Sequence, residues 1–202
     1  ILTGDRCVFG VTATKVDRTQ FTRRRPTLRP AFHPSTLQAA LARCMVNLAR
    51  TPRNGTFLDP FYGIGGILLE AGLIGARVVG VDIERDMIDG ARRNLESSGI
   101  TDFQLMVGDA RKLPALEVDA IATDPPYGRQ ATTGGAELEP LYRESLQSIG
   151  RVLKRRRYIC ITSPAELDME EMATDAGLRL IEKHEQRVHR SLTRRIYVFK
   201  KK

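Results

Sequence analysis

The stretch TDPPYGR, Thr123 to Arg129, sets one carboxylate against two prolines, an aromatic ring and a glycine, directly after an apolar run. Proline fixes its own φ, and the residue before a proline is pushed into an extended shape, so the backbone here is stiff. A carboxylate and a proline carbonyl held on such backbone are two acceptors that can grip both N–H groups of a planar exocyclic amine. Gripped from out of the ring plane, the nitrogen moves toward tetrahedral geometry and its delocalised lone pair is freed for attack. Asp124 and Pro125 would supply the acceptors, and Tyr127 would stack on the base carrying the amine, a contact of about 1–3 kcal/mol per base. Pro126, Gly128 and Arg129 would line the substrate. The competing reading is a rigid turn without chemistry.

Asp59, Asp82 and Asp109 close apolar runs in the same way. Ligands of open α/β sheets bind in the crevice beyond the carboxyl ends of the strands. Each acid alone is also a good helix cap or turn former, but all of them together point to one pocket. In LDPFYGIGGILLE, Gly63, Gly65 and Gly66 permit a tight turn and close approach of a ligand to the backbone, with Phe61 in the same loop. The loop lacks the third spaced glycine of a dinucleotide-binding turn, and Asp59 would confront a pyrophosphate with negative charge. S-adenosylmethionine carries an ammonium and a sulfonium and no phosphate, which suits Asp59. Asp82 lies 19 positions beyond Gly63, where a carboxylate can accept from both ribose hydroxyls. Ile83 can then pack on the adenine face, Asp109 can accept from the adenine amino group, and the Ala110 N–H can donate to the ring.

Positioning these groups requires strands that alternate with helices. RCVFGVTAT reads as a first strand and is followed by a basic, proline-flanked connector. STLQAALARCMVNLAR reads as a helix capped by Ser35. Strands at TFLDP, ARVVGVDI, DFQLMVGDA, VDAIATDPP and RRYICITSP then alternate with helices at GGILLEAGLIG, ERDMIDGARRNLESSG, ELEPLYRESLQSIGRVL and AELDMEEMATDAG. That alternation predicts a Rossmann-like, doubly wound α/β domain with a mostly parallel sheet of seven strands. The tail, LRLIEKHEQRVHRSLTRRIYVFKKK, reads as an antiparallel hairpin on one edge.

The chain has 202 residues, 42% hydrophobic and 28% charged, which suits one globular domain. No apolar run reaches the ~20 residues of a membrane helix, so no membrane partner is expected. Cys7, Cys44 and Cys160 are scattered, as are His33, His184 and His189, so neither a metal set nor a disulfide framework is expected; a reducing, cytoplasmic compartment is. The formal charge of +8 favours a polyanionic partner. Basic clusters at Arg23–Arg25, at Arg151 with Lys154–Arg157, at Arg194–Arg195 and at Lys200–Lys202 are candidates for phosphate contacts. The chain begins at Ile1 in mid-pattern, as an excised domain would.

LDPFYGIGG, GVDIERDMIDGARRNL, GDARKLP and DPPYGR, preceded by RPAFHPSTL, resemble class I S-adenosylmethionine-dependent methyltransferases that act on amines. More narrowly, with HRSLTRRIYVF, they resemble the catalytic domain of the THUMP-containing tRNA guanine-N2 methyltransferases that modify position 10. The resemblance implies methylation of a guanosine N2 amine in tRNA, with a mono- or dimethyl product. It also implies that Phe32, His33, Pro34 and Thr36 line the methionine end of the cofactor. Residues 1–34 are then an N-terminal strand and connector, and 35–202 the catalytic domain, with the THUMP module outside this chain. Some relatives work with a small zinc-binding activator protein. The clamp itself is shared with enzymes acting on rRNA, other tRNA sites and DNA, and a catalytically silent cofactor- or RNA-binding subunit would keep much of the pattern.

Overall fold

The computed structural model describes residues 2–3, 5–7, 9–127, 138–189 and 192–202. A small antiparallel pair, β1 (Leu2–Thr3) and β2 (Arg6–Cys7), opens the chain, followed by α1 (Thr19–Arg23) and a 3-10 turn at Pro26–Leu28. Then come α2 (Ala39–Leu48), β3 (Thr56–Asp59), α3 (Gly66–Leu73), β4 (Arg77–Asp82), α4 (Met87–Ser97), β5 (Phe103–Val107) and β6 (Val118–Thr123). Helix α5 (Leu138–Val152), β7 (Leu153–Pro164), α6 (Glu170–Asp175), β8 (Leu178–His189) and β9 (Leu192–Lys201) complete the fold. The main sheet has seven strands in the order β5-β4-β3-β6-β7-β9-β8. The first five in that list run parallel, and β9 lies antiparallel between β7 and β8. This is the doubly wound, mostly parallel sheet with a closing hairpin that the alternation predicts.

Period-2 alternation sends neighbouring residues into two cores. Phe57, Val78, Ala120, Cys160 and Val198 pack toward α2, α3 and α4, whereas Leu58, Val79, Ile121, Ile159 and Tyr197 pack toward α5 and α6. Every residue of β6 is buried, as a central parallel strand covered on both faces requires. The strand order reverses between β3 and β6. Outward from that point β4 and β5 lie on one side and β7 on the other, so the crevice for a ligand opens at the carboxyl ends of β3 and β6.

Two expectations need correction. Among the described residues RCVFGVTAT is a strand only at Arg6–Cys7; beyond it Phe9 and Val11 are 95% and 98% exposed, because the alternation there faces no core. The basic connector holds α1 and the 3-10 turn. The long helix begins at Ala39 rather than Ser35. The Ser35 hydroxyl is engaged by His33 Nδ1 at 2.7 Å, and the Thr36 N–H donates to the His33 carbonyl at 3.0 Å, so HPST makes its own turn and caps nothing.

Candidate active site

Asp59 and Asp82 are the last residues of β3 and β4, Asp109 follows β5 by two positions and Asp124 follows β6 by one. All four acids therefore sit at one edge of the sheet, at the ends of four adjacent parallel strands. Asp59 is 1% exposed, and its Oδ1 accepts from the Thr123 hydroxyl at 2.7 Å and from the Phe61 N–H at 3.1 Å. Burial pushes its pKa up to about 7, against those two hydrogen bonds, and the charges of Asp82 and Asp124 add to the rise. It is thus not an open carboxylate facing the loop, as the sequence suggests, but a desolvated one beneath it.

Asp82 anchors the glycine loop. Its Oδ2 accepts from the Gly63 N–H at 2.7 Å and its Oδ1 from the Glu84 N–H at 3.0 Å. Each oxygen can accept again, which leaves capacity for two hydroxyls of a ligand. Burial raises its pKa above the usual carboxylate range. Gly63 has φ of +51° and Gly65 of +79°, values that L side chains rarely adopt. The three glycines have different duties. A Cβ on Gly63 would meet nothing within 4 Å, so the loop is open to a ligand there. On Gly65 it would press on Ala91, and on Gly66 it would lie 3.1 Å from Thr36 Cγ2 and 3.2 Å from Arg29 Nη1. Around Gly66 the space is taken by the chain itself, whereas over Gly63 it is open.

Gly80, inside β4, lets this loop settle onto the sheet, since a Cβ there would strike Tyr62, Leu68 and Leu105 at 2.6–2.9 Å. Asn94, fully buried on α4, ties the loop to the preceding segment. Its amide donates to the Ala31 carbonyl at 3.1 Å and to the Ile64 carbonyl at 2.9 Å, and its Oδ1 accepts from the Ala31 N–H at 2.9 Å. Ala31 is thereby tied to Ile64 and Thr36 meets Gly66, with Phe32, His33 and Pro34 in the chain between those two contacts. Phe32 at 54% and Ile83 at 64% exposure leave bare apolar surface at the same edge. Arg29 lies over Gly66 with Nη1 and Nη2 buried and, among the described residues, unpartnered.

Asp109 is held by Arg111, whose Nε and Nη2 donate to the carboxylate at 2.7–3.0 Å and whose backbone N–H donates to Oδ1 at 2.9 Å. The Arg111 bonds depress its pKa. It stays ionised at the flank of the cleft, next to buried Ala110.

Asp124 is the best-defined acid. Its Oδ1 accepts from the Tyr127 hydroxyl and the Thr162 hydroxyl, and the Arg194 guanidinium lies 3.8 Å away. Among the described residues both hydroxyl donors reach Oδ1 and none reaches Oδ2. Burial lifts its pKa, opposed first by Arg194 and then by the two hydroxyls. Burial also drives the Tyr127 phenol well above its ordinary range, which keeps it a proton donor to Asp124. Pro125 is buried, and the Pro126 carbonyl accepts from Tyr142 at 3.4 Å. Gly128 and Arg129, with the QATTGG stretch, lie outside the described residues.

Residues 26–196 match the RMKL-like methyltransferase domain. The chain belongs to that family. Among curated relatives, the tRNA (guanine(10)-N2)-dimethyltransferase of Methanothermobacter thermautotrophicus is 45% identical over 202 residues, covering 100% of this chain and 60% of that protein. The enzyme of the same name from Pyrococcus abyssi is 40% identical over 199 residues, covering 96% of this chain and 59% of its own length. The chain thus spans about three fifths of these relatives. The solved structure of TrmN from Thermus thermophilus superimposes with a TM-score of 0.71 at 26% identity, covering 84% of this chain and 50% of that one. Class I methyltransferase architecture and the amine-methylating resemblance are both borne out.

Several residues of this methyltransferase domain escaped the sequence. Thr123 and Thr162 orient the two central acids, Asn94 staples the segment before α2 to the glycine loop, and Arg194 packs against Asp124. Asn94 sits in ARRNL on the apolar face of α4, where a polar residue breaking the stripe was the available signal. The basic clusters divide. Lys154 and Arg157 both pair with Asp119 at 3.1 Å at the amino-terminal end of β6. Asp119 lies five residues before Asp124, so at about 3.3 Å each the two ends are roughly 16 Å apart. Two surface hollows of about 550 and 510 Å³, lined in part by Arg151 and Leu113, lie at the same far end. Their linings lack the strand-end acids, and the site is placed at the opposite edge by topology. Among the described residues no cluster of metal-binding side chains occurs, and no helix is long and apolar enough to cross a membrane.

Proposed function

We propose that this chain is the catalytic part of an S-adenosylmethionine-dependent methyltransferase that methylates the exocyclic N2 amine of guanosine in tRNA, at position 10. The observation that carries the proposal is the divided carboxylate of Asp124: Oδ1 is pinned by two hydroxyls, while among the described residues no donor takes Oδ2, beside Pro125. The cofactor site fits the methyl donor. Open space over Gly63 admits a ligand against the backbone, Asp82 keeps acceptor capacity for ribose hydroxyls, and Ile83 and Phe32 offer apolar faces. Arg29 Nη1 and Nη2, which have no hydrogen-bond partner among the described residues, suit a carboxylate, and the buried acids favour a cation over a phosphate. When bound, the donor supplies an electrophilic methyl group.

The chain's own residues do the rest. Asp124 Oδ2 and the Pro125 carbonyl accept the two amine N–H groups and hold the nitrogen out of conjugation with the ring. Tyr127 fixes Asp124 through its hydroxyl and offers its ring to the extruded base. Holding the amine in line with the methyl supplies much of the rate. As nitrogen commits its lone pair, its protons become acidic, and Asp124 accepts one without being a strong base. Full-length protein incubated with the methyl donor and tRNA, rRNA or DNA, followed by nucleoside mass spectrometry, tests this. N2-methyl- or N2,N2-dimethylguanosine at position 10 of tRNA is expected; a methyl on a different nucleoside or polymer refutes it.

A further inference from the structure

Arg194 reads in the sequence as one of a pair of surface cations suited to RNA phosphates. The structure puts it elsewhere. It is 8% exposed, on β9 opposite Pro164, with its guanidinium 5.6 Å from the Tyr127 ring centroid and 3.8 Å from Asp124 Oδ1. Its Nε and Nη1 are buried and, among the described residues, make no hydrogen bond. Two desolvated guanidinium nitrogens without an acceptor among the described residues are costly, so the charge needs an answer nearby. Neighbouring Arg195, by contrast, points to the other face and pairs with Glu185 at 3.0 Å. The acid facing Arg194 is Asp124, and the separation is too long for a hydrogen bond but short for a Coulombic pair in a site of low polarity.

We infer that Arg194 is a positioning residue for the transfer reaction: it is the counter-ion that keeps Asp124 a carboxylate once a base has closed the site to water, rather than a phosphate contact. This rests on the amine-methylating function proposed above. Two neutral hydroxyls on Oδ1 cannot supply that charge balance, and a protonated Asp124 would neither grip the amine through two acceptors nor take its proton. The other titratable groups facing Asp124 are Tyr127 from its own loop, Cys160 from β7, Asp59 from β3 and Tyr142 from α5. Burial drives the two tyrosines and the cysteine upward, so they stay neutral between pH 5 and pH 9, as their ordinary ranges would place them only near or above the upper limit. Asp59 titrates within that window, so a rate profile alone would mix the two acids.

The deciding measurement is therefore the titration of Asp124 itself. In full-length protein carrying 13C-labelled aspartate carboxyls, with the Asp124 resonance assigned by its loss in Asp124→Asn, the midpoint is compared between wild type and Arg194→Gln. An opposite charge within about 4–6 Å lowers a carboxyl by about 1–3 pH units, so removing it should raise the midpoint by about one unit or more. Arg194→Met serves as a second neutral substitution, and Arg194→Lys should return the midpoint toward wild type. Single-turnover methylation by Arg194→Gln should lose rate mainly below the new midpoint, with tRNA affinity and its salt dependence unchanged. An unchanged Asp124 midpoint in both neutral variants overturns the inference. So does a loss of tRNA affinity with a salt slope reduced by about one, the signature of a phosphate contact. If wild-type protein methylates no guanine amine, the proposed function fails, while the carboxyl titration still decides the role of Arg194.

Discussion

Replacing Asp59 by Asn should stabilise the protein, and the gain should depend on pH. The carboxyl is buried at 1% exposure with a pKa of about 7, against an ordinary 3.8. Its folded value is raised, so between those two values the native state holds a proton that the unfolded chain has released. Stability from this group is fully present below the unfolded value and is lost as pH rises through 7. A rise of about 3 pH units corresponds to about 4 kcal/mol of destabilisation in the ionised form, at 1.36 kcal/mol per unit. Asparagine keeps an oxygen for the Phe61 N–H and the Thr123 hydroxyl but carries no charge. Asp59→Asn should therefore match wild type near pH 4 and exceed it increasingly toward pH 8, by at most about 4 kcal/mol. Chemical denaturation at pH steps between 4 and 8 measures the difference. The same ionisation should couple to cofactor. A cation bound beside the glycine loop favours the carboxylate, so calorimetry near pH 6 in buffers of different ionisation heat should show proton release for wild type and none for Asp59→Asn. Parallel stability curves for the two proteins across this range would refute the reasoning.

Other substitutions separate the parts of the site. Asp82→Ala removes the partner of the Gly63 N–H and the acceptor proposed for ribose hydroxyls; at about 1.5–3 kcal/mol for hydrogen bonds to a charged group, affinity for the methyl donor should fall by about 10–150-fold in calorimetry. Asp124→Ala should abolish methyl transfer in a single-turnover assay while donor binding survives, and wild-type activity in this variant would rule out the clamp. Glu70 is fully buried and neutralises Arg24 and Arg43 at 2.6 and 3.0 Å. Glu70→Ala leaves those charges uncompensated and should cost about 3–5 kcal/mol in denaturant unfolding.

The sheet and the four acids were legible because their signals are local. Apolar runs such as VDAIAT end on an acid and a turn, and chain order alone then places Asp59, Asp82, Asp109 and Asp124 at strand ends. What each acid does was less legible, since that depends on partners far away in sequence. Asp59 finds Thr123 across 64 positions and Asp124 finds Thr162 across 38. A charge pattern likewise cannot separate the two faces of a strand when its neighbour is unknown: Arg194 and Arg195 look alike in sequence, yet one is buried on the clamp and the other is paired at the surface. The start of α2 was misjudged for the opposite reason. Ser35 has the right chemistry for a cap, but His33, only two residues away, engages its hydroxyl first.

The acids at this edge are not provided for equally. Asp109 has a bidentate arginine, Asp124 has Arg194 and two hydroxyls, and Asp82 has two backbone N–H groups. Asp59 has a hydroxyl and one backbone N–H and, among the described residues, no cation, while Asp82 and Asp124 add their repulsion to its burial. The proposed chemistry needs Asp124 ionised and the fold sets Arg194 against it, whereas among the described residues the acid beneath the glycine loop has no counter-ion. A positive ligand settling over Gly63 would relieve Asp59, whereas a pyrophosphate there would add like charge to the repulsion Asp59 already meets from Asp82 and Asp124. The preference for a cationic cofactor over a dinucleotide follows from that asymmetry, independently of how the glycines are spaced.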